Sequence, residues 1–128
     1  MADEDSRTVS LTIPAKADYL VLARLALSAV CRLTPLGADE VVDLKLAVTE
    51  AAAGALGEAE GAEDDRLEFR FDVGDDRLTL EVEASEDRTP GGVADDWELG
   101  RAIIEATVDE YQEDGRAVRL VKYLNQEP

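Results

Sequence analysis

Two alternating stretches, back to back, set the strongest limit on what this chain can fold into. Leu67, Phe69, Phe71 and Val73 alternate with Glu68, Arg70 and Asp72, while Leu78, Leu80 and Val82 alternate with Thr79, Glu81 and Glu83. Gly74-Asp75-Asp76 between them has the residues of a short hairpin turn. Side chains along a strand point to opposite faces, so the pair has one apolar face and one charged face. A lone hairpin is at best marginal in water, and the apolar face demands a cover. The pattern predicts an antiparallel sheet with helices on one side only.

The remaining segments supply that cover. Thr8 to Ile13 alternates Val9, Leu11 and Ile13 against Thr8, Ser10 and Thr12, a half-buried strand that Pro14 ends. A helix is predicted over Asp18 to Leu33, with Tyr19, Leu22, Ala23, Ala26, Val30 and Leu33 at helical steps. It is also apolar at Leu20, Val21, Leu25 and Leu27, so more than one face must be covered, by a deep core or by a second subunit. Pro35-Leu36-Gly37 breaks this helix, and Asp39 and Glu40 favour the N-terminus of the next.

That second helix contains DLKLAVTEAAAGAL, Asp43 to Leu56. Val41, Leu44, Val48, Ala51 or Ala52, and Ala55 make one apolar face; Asp43, Ala47, Glu50 and Gly54 share another. Glu50 is a lone carboxylate in an alanine-rich run. The helix by itself favours placing it on a solvated flank, because a buried, unpartnered carboxylate is costly.

Gly57 to Asp65 is too polar and glycine-rich to pack, and Ser85 to Asp96, with Pro90, Gly91 and Gly92, is the main irregular stretch. A third helix is predicted over Trp97 to Tyr111, a turn over Gln112 to Gly115 and a last strand over Ala117 to Tyr123. The order β-α-α-β-β-α-β makes a two-layer α+β sandwich, its helices on one face of a mixed, mostly antiparallel sheet of about four strands. Phe69, Phe71, Leu80 and Val82 are expected to meet Val48, Ala52, Ile103 and Ile104 in the core. Residues 1–6 read as a flexible leader and 7–125 as a single domain.

Composition narrows the function. Thirty acidic residues against 13 basic ones give a net charge of −17 in 128 residues. Such a charge repels phosphate backbones and anionic lipid, so neither nucleic acid nor a membrane surface is an expected partner. The acids are spread along the chain, as solubility requires, and they also suit a basic protein surface. Histidine is absent, which excludes histidine metal sites, Ser-His-Asp triads and phosphorylation on histidine within the chain. Cys31, the one cysteine, lies in an apolar helical pattern and reads as a small core residue. No signal peptide or membrane span is legible, and a cytoplasmic location is expected.

Several stretches together resemble the serine kinases that act as bacterial anti-sigma factors, in the superfamily of histidine-kinase-like ATPases (GHKL). LTIPAKADYLVLAR resembles their strand-Ile-Pro-Ala entry with a Tyr and an Arg on the first helix. LKLAVTEAAAGAL resembles their LxLAVxEAxxNAxxHA stretch, LGRAIIEATVDE their Leu-Gly helix start and the helix after it, and VRLVKYL their closing strand. The resemblance spans nearly the whole chain.

Position by position, the resemblance is uneven. Glu50 occupies the place of the family's catalytic carboxylate, the candidate base that polarises a hydroxyl or water. Gly54 stands where the family has the Asn that holds magnesium, and Glu58 or Ala59 where it often has a His. The adenine-reading Asp of the Asp-x-Gly motif falls on Ala84, with Glu83, Glu86 or Asp87 available only through a slip in register. Of the Gly-x-Gly that turns amides to the phosphates, Glu98 replaces the first glycine, Leu99 matches the middle residue and Gly100 remains.

The family's cofactors are ATP and magnesium. This chain lacks their Asn and Asp and puts a carboxylate beside the phosphate position, so nucleotide binding is expected to be weak or lost. No Walker-type GxxxxGK[ST] replaces it. The resemblance thus implies a regulator that binds a sigma factor or its antagonist protein, as a homodimer. The alternatives are an active serine kinase with Glu50 as base and Glu86 or Asp87 reading adenine, and a structural module for self-association.

Overall fold

The computed structural model describes residues 7–56, 65–84, 94–114 and 117–124. Strand β1 (Arg7–Pro14) opens the chain; a 3-10 turn (Ala17–Tyr19) then leads into helix α1 (Leu20–Cys31), and helix α2 spans Ala38–Leu56. Strands β2 (Arg66–Val73) and β3 (Arg77–Ala84) follow. Helix α3 (Ala94–Thr107), strand β4 (Glu110–Asp114) and strand β5 (Ala117–Tyr123) complete the order. The leader 1–6 lies outside the described residues.

Sheet order is β1-β2-β3-β5-β4, and every neighbouring pair is antiparallel, where a mixed, mostly antiparallel sheet is the expectation from sequence. The central hairpin has the register its alternation implies. Phe71 faces Leu80 and Phe69 faces Val82, while Gly74 donates its amide to the Arg77 carbonyl at 2.9 Å to close the turn. The apolar row continues on both sides, through Leu11 opposite Phe69 and through Leu120 opposite Leu80. That sheet face is therefore apolar across β1, β2, β3 and β5, and α1 and α2 pack on it.

Of the expected core residues, Phe69, Phe71, Leu80, Val82, Val48, Ala52 and Ile104 are all buried, and Ile103 is half-buried. Cys31 is a buried free thiol, as its position in the helical pattern predicted. Burial pushes its pKa up, and the charge of Lys45 opposes this more weakly.

The helix ends follow local chemistry. After Cys31 the amides of Arg32, Leu33 and Thr34 turn back to the carbonyls three residues earlier, tightening the last turn before Pro35. The Thr34 hydroxyl donates to the Cys31 carbonyl at 2.7 Å and accepts the Leu36 amide at 3.3 Å. Glu40 reaches back to the Gly37 amide at 3.0 Å, one half of a capping box at the start of α2.

Two expectations need correction. The helix expected to run from Trp97 to Tyr111 starts at Ala94 and ends at Thr107, whose hydroxyl donates to the carbonyls of Ile103 and Ile104. Glu110 to Asp114, read as helix end and turn, is instead a fifth strand on the sheet edge. Pairing with β5 satisfies that backbone, and Asp109 anchors it. The Asp109 amide donates to the Val121 carbonyl, while its carboxylate accepts the Tyr123 amide at 2.7 Å.

Candidate functional site

The positions singled out by sequence sit on α2, the end of β3 and α3. These elements adjoin, since α2 packs on β3 from above and against α3 at its side. On α2, Ala47 and Gly54 are buried while Glu50, between them on the same face, is half-buried. The Glu50 carboxylate makes no hydrogen bond or ion pair with any described residue. Its neighbour Thr49 donates to the Lys45 carbonyl at 2.7 Å and accepts a long 3.5 Å contact from Arg24, which ties α1 to α2 beside the carboxylate.

Ala84 is buried on the helix-facing side of the sheet, opposite Leu67. Alternation puts Glu83 on the other face, in a row with Glu68 and Ala117. Glu83 therefore points away from the helices and is excluded as a slipped substitute for the adenine-reading Asp. Glu86 and Asp87 lie outside the described residues, as do Glu58, Ala59 and the Gly91-Gly92 pair.

Glu98, Leu99 and Gly100 are all internal to α3, because the helix begins earlier than its apolar pattern indicated. Glu98 is exposed, Leu99 is 65% exposed and Gly100 is buried. Only the first four amides of a helix lack an intrahelical acceptor. Those of Leu99 and Gly100 come after Ala94 to Trp97, so they donate within the helix. A phosphate placed there would meet the Glu98 carboxylate and no free amide pair. Gly54 offers no oxygen to a cation and Ala84 no carboxylate to an adenine amino group. Of the positions that the resemblance assigns to ATP and magnesium, Glu50, Leu99 and Gly100 match the family's residues and Gly54, Ala84 and Glu98 do not.

One polar cluster was not visible in the sequence. Arg101 of α3 grips Glu113 of β4 with two nitrogens, the shortest contact being 3.0 Å, and the Tyr111 hydroxyl donates to the same carboxylate. Burial first, and that hydrogen bond second, hold the Tyr111 hydroxyl above its ordinary pKa. Nearby, Tyr123 donates to Glu110 while Arg77 lies 5.4 Å from the centre of the Tyr123 ring. These contacts fasten the edge strand to α3 and β5, a structural task. Their sequence signal was the Asp114-Gly115 pair, a hairpin turn dipeptide between two strands.

A sheet covered on one face by helices, with a glutamate on the central helix, is the frame of the histidine-kinase-like ATPases. Residues 13–127 match the histidine kinase-like ATPase domain family. The serine-protein kinase RsbW of Listeria innocua is 30% identical over 92% of this chain and 88% of the relative. The protein of that name from Listeria monocytogenes shows the same identity and coverage, and that of Staphylococcus epidermidis is 29% identical over 93% of the chain. The chain belongs to the histidine-kinase-like ATPase domain family, in the branch of the anti-sigma-factor serine kinases.

Proposed function

We propose that this protein is an anti-sigma-factor-like regulator that holds a sigma factor, or the antagonist of that factor, with nucleotide binding lost or weak. The observation that carries this reading is the contrast between scaffold and site. Sheet, helices and core are complete, while Gly54, Ala84 and the helical amides of Leu99 and Gly100 leave ATP and magnesium without their usual partners. The excess of acid suits a partner with a basic surface. A cytoplasmic location accords with such a partner, and no helix among the described residues is long and apolar enough to cross a membrane.

The test is reconstitution. The tagged chain, expressed in its source bacterium, is expected to co-purify with a sigma factor or a small antagonist protein. The recombined pair should elute as one complex without added nucleotide. Complex formation that requires magnesium-ATP would transfer the argument to the second reading, an active serine kinase. That reading is favoured by one observation, the half-buried carboxylate of Glu50 that bonds to no described residue, which is the state a base needs.

The working unit is a homodimer built on β1 and α1. Between Thr8 and Ile13 the β1 edge carries no charge, whereas the opposite edge, β4, carries Glu110, Glu113 and Asp114. Charge is a common guard against edge-to-edge pairing, and β1 lacks it. Next to it α1 exposes Val21, Leu22 and Leu25, and the turn after it exposes Leu33, so Leu22 and Leu33 of the expected helical stripe are not covered by the core. Light scattering is expected to return twice the chain mass, and Leu25→Glu to return the single mass with the far-UV circular dichroism of the native chain and a lower melting point, since dissociation removes the stabilisation that association adds. A monomeric native protein would remove the dimer.

A further inference from the structure

Away from the nucleotide positions, a cleft of about 420 Å³ opens between the end of α1 and the start of α2. Its lining includes Ser28, Cys31 and Arg32 from the α1 side, Leu36 from the connecting loop, and Val42 and Lys45 from α2. The volume lies in the range of small-molecule sites. None of the lining residues is acidic, in a chain with 30 carboxylates. The sequence from Tyr19 to Gly37 contains no acid at all.

The two cations of this cleft, like Arg7, Lys16, Arg119 and Lys122, hold no carboxylate among the described residues. Arg70, Arg77 and Arg101 each hold a carboxylate, at 3.2, 3.3 and 3.0 Å. Arg32 and Lys45 make no ion pair or side-chain hydrogen bond with any described residue, and neither does the Ser28 hydroxyl that lines the same cleft. On the turn of α2 that borders the cleft, Glu40 is engaged by the Gly37 amide, and Asp39 and Asp43 are not part of the lining. Leu36, Ala38, Val41 and Val42 give the cleft an apolar side, with Ser28 and Thr34 also in the lining, and Val42 stays 62% exposed although Leu36 and Val41 beside it pack on the core. Arg32 alone would be explained by the partial negative charge at the end of α1, and Lys45 alone by its long stem lying on α2. Neither explanation accounts for both lining one cleft that has no acidic residue.

We propose that this cleft binds a small amphipathic anion, a carboxylate whose head lies between Arg32 and Lys45 and whose short apolar tail lies on Leu36 and Val42. The two cations supply the charge-assisted hydrogen bonds, and the Ser28 hydroxyl can add a third donor. The Cys31 thiol, buried and kept protonated, contributes an apolar floor and no charge. The site adjoins both α1, which carries the proposed dimer face, and α2, which carries Glu50. A ligand there would favour whichever α1–α2 arrangement binds it better, so it is a place for a signal to enter.

The probe is sodium octanoate, titrated into the ¹⁵N-labelled full chain and followed by amide shifts. Saturable shifts confined to residues of the α1–α2 junction are expected at millimolar concentration or below. Octylammonium, with the same tail and the opposite charge, is expected to give none of them. Arg32→Gln combined with Lys45→Gln should weaken octanoate by about tenfold or more, since each charged contact contributes on that order. Val42→Glu, at an exposed position where folding is insensitive, should abolish binding by placing a like charge in the mouth. Equal binding of both probes, shifts centred elsewhere, no saturation, or full affinity in these variants would each overturn the proposal.

Discussion

Phe69→Ala is expected to lower the free energy of unfolding by about 3–5 kcal/mol, the range for emptying a fully enclosed aromatic site. Phe69 is fully buried in the centre of the sheet, flanked by Leu11 on β1 and Val82 on β3, with Val118 one strand further. Each neighbour is held by its own strand ladder, so the cavity cannot close by a simple side-chain shift. A domain of this size has roughly 5–15 kcal/mol of stability in total, so the variant stands at the edge of folding. Urea unfolding followed by circular dichroism measures it, with the slope expected to match that of the native chain. Arg70→Ala is the control, because the Arg70–Glu81 pair is exposed and worth at most about 1 kcal/mol. A loss below about 1 kcal/mol for Phe69→Ala would place Phe69 outside the core and defeat the register.

That register was legible because alternation with a strict period of two leaves one choice of face, and a slip by one residue would turn Phe69, Phe71 and Leu80 to water. The first two helices were legible for the same kind of reason: their apolar steps are dense, and Pro35 and Gly37 punctuate them. Strand β4 was not, since Tyr111 is its one apolar residue and its stability comes from backbone pairing with β5 and from the contacts of Arg101, Tyr111 and Glu113. No local pattern reports such partners. The start of α3 was missed because Asp95 and Asp96 were read as loop residues, although acids suit the first turn of a helix.

The candidate site was legible only in part. From the alanine-rich helix alone, Ala47, Glu50 and Gly54 read as a second face, with Glu50 on a solvated flank. The structure covers Ala47 and Gly54 and leaves Glu50 half open, with α3 packed on the same helix. Which side α3 would take depends on a crossover through the irregular stretch after β3, and helical periodicity contains no information on that. The cleft between α1 and α2 was likewise invisible, because Arg32 and Lys45 are thirteen positions apart and become neighbours only when Pro35 and Gly37 reverse the chain.

Calorimetric titration of the unaltered chain with magnesium-ATP is expected to show no binding below millimolar concentration. The double substitution Gly54→Asn with Ala84→Asp is expected to recover measurable affinity, because the Asn supplies an oxygen for magnesium and the Asp an acceptor for the adenine amino group. Each such contact is worth on the order of 1–3 kcal/mol when charge-assisted. The gain comes with a loss, since both positions are buried. An Asp at position 84 without its nucleotide is a desolvated carboxylate facing the core, so the double variant should melt lower than the native chain and recover part of the difference on adding magnesium-ATP. Adding Glu98→Gly should tighten binding further by removing a like charge near the phosphates. Family-level affinity is still not expected, because α3 retains the amides of Leu99 and Gly100 within its own hydrogen-bond ladder. Tight binding by the unaltered chain would overturn this account. It would assign adenine reading to Glu86 or Asp87 and put the kinase reading first. Glu50→Gln then separates the two functions: a kinase would lose phosphoryl transfer to its antagonist, whereas a regulator that works by occupancy would hold its partner as tightly as before.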